Sequence, residues 1–100
     1  MSFVKVANLK DVPEGDSIEV RIKGRELALF NLAGKFYCLD NSCPHMEGPL
    51  TEGYIEGETV ICPWHAWPIN IKTGEVTFNP DLCAMSYTVK VEDDAVLIDF

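Results

Sequence analysis

Basic residues are scarce in this chain: 8 lysines and arginines stand against 16 acidic residues, a formal charge of −8. That balance argues against a nucleic-acid ligand, which needs a basic face. It suits docking onto a basic patch of another protein, although acidity alone also keeps a chain in solution. No run of about eighteen apolar residues occurs, so no membrane span is expected. The opening Met1-Ser2-Phe3-Val4-Lys5 has neither a secretory signal nor a twin-arginine pattern, and a cytoplasmic location is expected from it. No segment keeps a helical period over three turns, and Asn8 to Asp11 has room for one turn at most. Linkers and low-complexity stretches are missing as well. No nucleophile–base pair, phosphate loop or substrate pocket is evident, so catalysis on a bound substrate is not expected. Histidine is scarce too, with 2 in 100 residues.

What is present reads as all-β. Strand-like apolar runs occur at Val4-Lys5-Val6, Ile18 to Ile22, Leu27 to Phe30, Tyr87 to Val91 and Val96 to Phe100, each expected to bury one face. Turn signals separate the runs: Lys23-Gly24, Ala33-Gly34, Glu56-Gly57, Thr73-Gly74 and Asp93-Asp94. Short strands at this spacing imply a sandwich or barrel. The chain is expected to be one domain, residues 1–100. Residues 1–40 and 82–100 read as a base of paired strands. Residues 41–81 read as an inserted, turn-rich subdomain that holds five of the six prolines.

Both histidines fall beside cysteines, in Cys43-Pro44-His45 and Cys62-Pro63-Trp64-His65. Two such pairs offer two sulfurs and two nitrogens, the donor set of a 2Fe-2S cluster with two thiolate and two imidazole ligands. Proline after each cysteine restricts the cysteine to extended geometry and fixes its own φ, so less ordering is needed around a metal. Four such donors also suit zinc, and a zinc-stabilised interaction module remains an alternative. Zinc fingers, however, usually pair cysteine with cysteine and histidine with histidine.

These residues resemble the Rieske ferredoxin family. The likeness runs through Cys43-Pro44-His45-Met46-Glu47-Gly48-Pro49-Leu50, Cys62-Pro63-Trp64-His65-Ala66-Trp67 and Thr73-Gly74-Glu75. It continues in the flanks Val12 to Gly15 and Tyr87 to Val91. The resemblance implies a Rieske-type fold of stacked antiparallel sheets with an inserted cluster-binding subdomain. It implies one 2Fe-2S cluster held by Cys43, His45, Cys62 and His65, with the cysteines on the inner iron and the histidine δ nitrogens on the outer one. It also implies a monomeric one-electron carrier, itself not an enzyme, between a flavoprotein reductase and a terminal oxygenase of the aromatic ring-hydroxylating type. The small subunit of an assimilatory nitrite reductase is the alternative within the same resemblance.

Neutral imidazoles leave the oxidised site uncharged where four thiolates would leave it doubly negative, so an added electron is accepted more easily. High-potential members of the family carry an inter-loop disulfide and a serine near the bridging sulfide. Met46-Glu47-Gly48, Trp64 and Ala66-Trp67 offer neither, and a potential near about −150 mV is expected. Three residues depart from the family's pattern: Ala66 and Glu47 stand where glycine is common, and Ile69 where phenylalanine is. A need for positive φ at either of the first two would alter the loop.

The remaining features have plainer readings. Cys38 and Cys83 are expected to pack in the core as small buried thiols. Trp64 and Trp67 are expected to shield the cluster and fill the subdomain core. Met46, Pro49 and Leu50 could form an apolar rim for transient docking, although loop packing alone also accounts for Leu50. Glu47, Glu52, Glu56 and Glu58 read as a solvated face.

Overall fold

A computed structural model of the chain describes residues 3–42, 48–64 and 66–100. Twelve strands fill most of it: β1 (Phe3–Asn8), β2 (Ser17–Ile22), β3 (Arg25–Leu32), β4 (Lys35–Asp40), β5 (Tyr54–Glu56), β6 (Thr59–Ile61), β7 (Pro68–Asn70), β8 (Glu75–Val76), β9 (Asn79–Cys83), β10 (Ser86–Tyr87), β11 (Val89–Glu92) and β12 (Ala95–Asp99). They form three antiparallel sheets of order β1-β12-β11, β10-β4-β3-β2 and β5-β6-β7-β8-β9. Two single turns of 3-10 helix, Leu9–Asp11 and Leu50–Glu52, complete the secondary structure of the described residues. No helix among them is long and apolar enough to cross a membrane.

The four-stranded sheet is the middle layer. Leu27, Leu29 and Cys38 point into one core with Val12, Val96 and Ile98. Ala28, Phe30 and Leu39 point into the other with Leu50, Val60, Cys62, Ile69, Ile71 and Val76. The expectation of one buried face therefore needs correcting for β3: Leu27 to Phe30 is apolar throughout because both of its faces are covered, the pattern of any doubly buried strand. The outer strands show the opposite. Val4 and Val91 remain exposed on β1 and β11, the two edges of the three-stranded sheet.

The turns form where glycine and aspartate place them. Lys23-Gly24, Ala33-Gly34 and Asp93-Asp94 each carry positive φ at both residues, the geometry that matches the twist of a two-residue hairpin. Asn8 begins the first 3-10 turn, its amide donating to Asp11 Oδ2 at 2.8 Å. Gly74 has φ +83, and a Cβ there would run into the Ala84 carbonyl, so no other residue type fits without a shift. Its carbonyl accepts the Ala84 amide at 2.8 Å, which ties the turn after β7 to the chain returning towards β10.

Cys38 is buried as expected, and burial with the nearby Asp40 carboxylate raises its thiol pKa to about 12. Cys83 is a correction. It lies exposed on β9, because the strand alternation turns Leu82 and Ala84 inward and Cys83 outward.

Candidate metal centre

Of the four residues read as ligands, the structure describes Cys62; Cys43, His45 and His65 lie outside the described residues, as do Met46 and Glu47. The site is therefore built from Cys62 and from the chain that flanks the other three.

The second loop is a hairpin connection. β6 and β7 pair with Ile61 opposite Pro68, and one step further the Cys62 amide donates to the Trp67 carbonyl at 2.9 Å. This bond closes Cys62 to Trp67 into a tight loop continuous with the sheet. Cys62 is 1% exposed and belongs to the core between the middle and five-stranded sheets. Ala66 adopts φ +55, the left-handed region, so the position where glycine is expected does demand glycine-like geometry. Ile69, standing where phenylalanine is frequent, is fully buried in the same core.

The two tryptophans differ in burial. Trp67 is half-buried against the core and meets Phe78 edge-on, with ring centroids 4.9 Å apart. Trp64 is 47% exposed, so it covers rather than fills. Leu50 is fully buried, which removes it from any apolar docking rim and makes it the anchor of the first loop's return. Glu52, Glu56 and Glu58 are exposed, Glu58 with a 3.0 Å ion pair to Lys72.

The first loop leaves β4 at Asp40 and returns through Gly48 to the Leu50–Glu52 turn. At its start, Asp40 accepts the Tyr87 hydroxyl at 2.8 Å and the Arg25 guanidinium at 3.2 Å. Burial and the adjacent Asp40 carboxylate push the Tyr87 pKa up to about 12. At its end, two glycines bring this loop against the second. A Cβ on Gly48 would sit 2.9 Å from Cys62 Sγ and 3.1 Å from the Trp64 ring; one on Gly53 would meet the Ile61 carbonyl. Gly48 is buried, and its missing side chain keeps space open beside a buried sulfur. Sequence reasoning placed Gly48 in the motif without giving it this part. The signal was available, since a glycine beside a candidate ligand loop is a position where backbone approaches closely.

The family model described as Rieske [2Fe-2S] domain matches residues 2–91. The ferredoxin component of the naphthalene 1,2-dioxygenase system of Pseudomonas putida is 34% identical over 105 residues, covering 99% of this chain and 96% of its own. The solved Sphingomonas yanoikuyae B1 ferredoxin superposes with a TM-score of 0.89 at 31% identity, covering 99% of both chains. A solved structure titled complex of reduced oxygenase and oxidized ferredoxin in carbazole 1,9a-dioxygenase contains a chain matching with a TM-score of 0.86 at 26% identity, over 96% of this chain and 91% of that one.

Proposed function

The chain belongs to the Rieske [2Fe-2S] domain family, and on that footing we propose that it is a one-electron carrier between a flavoprotein reductase and the terminal oxygenase of an aromatic ring-hydroxylating system. Its relatives are named as ferredoxin components of such systems, and a similar ferredoxin has been solved with its oxygenase. In this reading the chain is a monomeric cytoplasmic component, not itself the oxygenase. Residues 41–81 serve as the cluster-binding subdomain on a base of residues 1–40 and 82–100. The sheet β5 to β9 supports that division, although it runs on to Cys83.

The cofactor is one Rieske-type 2Fe-2S cluster, and the residues proposed to hold it are Cys43, His45, Cys62 and His65. When bound, the cluster supplies a centre that takes up and releases electrons singly. The observation that carries the assignment is the approach of Gly48 to Cys62 Sγ. It brings the end of the loop that contains Cys43 and His45 against the residue that opens the loop containing His65. The remaining cysteines support it by contrast. The buried Cys38 thiol holds its proton well above neutral pH, and Cys83 faces outward on a strand of the sheet. Trp64 and Trp67 cover and brace the second loop, and Gly48 leaves the sulfur room.

Reduction kinetics test this function. Anaerobically isolated protein is expected to be reduced rapidly by an NADH-dependent flavoprotein and reoxidised by a ring-hydroxylating oxygenase with substrate. Co-purification with a siroheme protein and failure to reoxidise with any oxygenase would move the chain to the nitrite reductase alternative. Stoichiometric zinc without colour in native material would move it to the interaction module.

A further inference from the structure

Two polar side chains are buried among the described residues, Asn31 and Asn41, at 6% and 5% exposure. Asn31 belongs to the base. Its Nδ2 donates to the Val12 carbonyl at 2.7 Å and its Oδ1 accepts the Gly34 amide at 2.9 Å. Asn41 makes the same two kinds of bond at the mouth of the first ligand loop. Its Nδ2 donates to Glu19 Oε2 at 3.0 Å and its Oδ1 accepts the Thr51 amide at 2.9 Å. Its own amide donates to the Glu26 carbonyl at 3.0 Å.

Residues 41 and 51 are the two ends of the stretch that contains Cys43 and His45. The carboxamide of Asn41 joins those ends to each other and to β2. The Thr51 amide lies in the first turn of the 3-10 helix, where a backbone donor has no partner within the helix, so Asn41 caps that turn from a distance. Other side chains fail at one bond or the other. Aspartate would set a carboxylate against Glu19 and lose the donor; serine is too short for both. One orientation of the amide satisfies both partners, because Glu19 needs a donor and Thr51 an acceptor.

Resting on the function proposed above, we infer that Asn41 is a positioning residue for the cluster: it fixes the separation of the first loop's ends and thereby the placement of Cys43 and His45. Glu19 is its support on β2 and is itself held near the surface by Arg21, 3.6 Å away. A carboxamide bridging two segments with two part-buried bonds is costly to remove, since both partners are left without it.

The matched asparagines supply the test. Asn41→Ala and Asn31→Ala each remove one donated and one accepted bond from similarly buried side chains, and both are expected to lower the melting temperature. Only Asn41→Ala is expected to yield substoichiometric iron and sulfide, to shift the g values of the reduced protein, and to speed Thr51 amide exchange by about tenfold, the worth of one hydrogen bond. Glu19→Ala, which leaves Asn41 in place, is expected to move the g values in the same direction by less, and Glu19→Gln to restore them. Should Asn41→Ala not fold, the Glu19 pair decides alone. Full iron and unchanged g values in Asn41→Ala, or in Glu19→Ala where that pair decides, would overturn the inference, as would an equal disturbance in Asn31→Ala. A wild-type protein without iron or sulfide would instead sink the function on which the inference rests.

Discussion

The two loops that bear the Cys-Pro pairs are built on different principles. The second is a hairpin connection, closed by one bond from Cys62 to Trp67 and continuous with the register of β6 and β7. The first is a crossover from the middle sheet, held by side chains and glycines: Asn41 at its mouth, Leu50 in the core, Gly48 and Gly53 against the other loop. Backbone pairing makes the second loop a local product of its own sequence. Tertiary contacts make the first dependent on the rest of the fold: the Asn41–Thr51 bond joins the loop's own ends, but Asn41 is also bonded to Glu19 on β2 and Leu50 packs in the core. In a metal centre drawn from both, the hairpin supplies the fixed half and the crossover the half that must be brought to it.

The sharpest break in that comparison comes from the fixed half. Cys62→Ser is expected to abolish the visible bands, whereas Cys38→Ser, equally buried, and Cys83→Ser leave them intact. Spectra of the three purified variants check this, and bands surviving in Cys62→Ser would remove that ligand. Next in size, Gly74→Ala forces alanine into φ +83 against the Ala84 carbonyl. It should cost about 3 kcal/mol of stability, combining left-handed strain with overpacking, as read by denaturant unfolding.

A pH effect follows for the anchor of the first loop. Burial, and then its bond to Asp40, push the Tyr87 hydroxyl pKa up from its ordinary 10.0 to about 12. The folded state thus keeps a proton that the unfolded chain gives up. Its contribution is fully present below pH 10 and is lost as pH rises towards 12. Melting temperatures in that window should fall less steeply in Tyr87→Phe than in wild type; parallel slopes would deny the coupling. The smallest effect belongs to Ala66→Gly. Relief of the left-handed alanine at φ +55 outweighs the added freedom of the unfolded chain, for a gain of about 0.5 kcal/mol. A fall in melting temperature would show that the alanine methyl contributes contacts of its own.

How far the fold could be read from the chain depended on element length and on which contacts were local. β2, β3 and β12 and the five turns carried enough residues of one pattern to be recognised. Strands β5 to β8 have two or three residues each, too few for any period to declare itself. Cys83 was misjudged from its apolar neighbours, though strict alternation from Ala84 would have turned it outward. Leu50 was left open between rim and loop packing, and its place in the core decides for packing. The two Cys-Pro pairs stand out in the sequence because they are local to a few residues, and of the four proposed ligands the structure describes Cys62. The parts of Asn41 and Gly48 do not stand out, since each depends on partners at other places in the chain: Glu19 and Thr51 for one, Cys62 for the other.

The central claim is that each loop gives one sulfur and one nitrogen to the same pair of irons. Pulsed EPR of the dithionite-reduced protein, isolated anaerobically with and without ¹⁵N-histidine labelling, addresses it most directly. Hyperfine couplings from two imidazole nitrogens that change together on labelling are the expected result. A cluster without histidine coupling, or native protein without iron and sulfide, would contradict it.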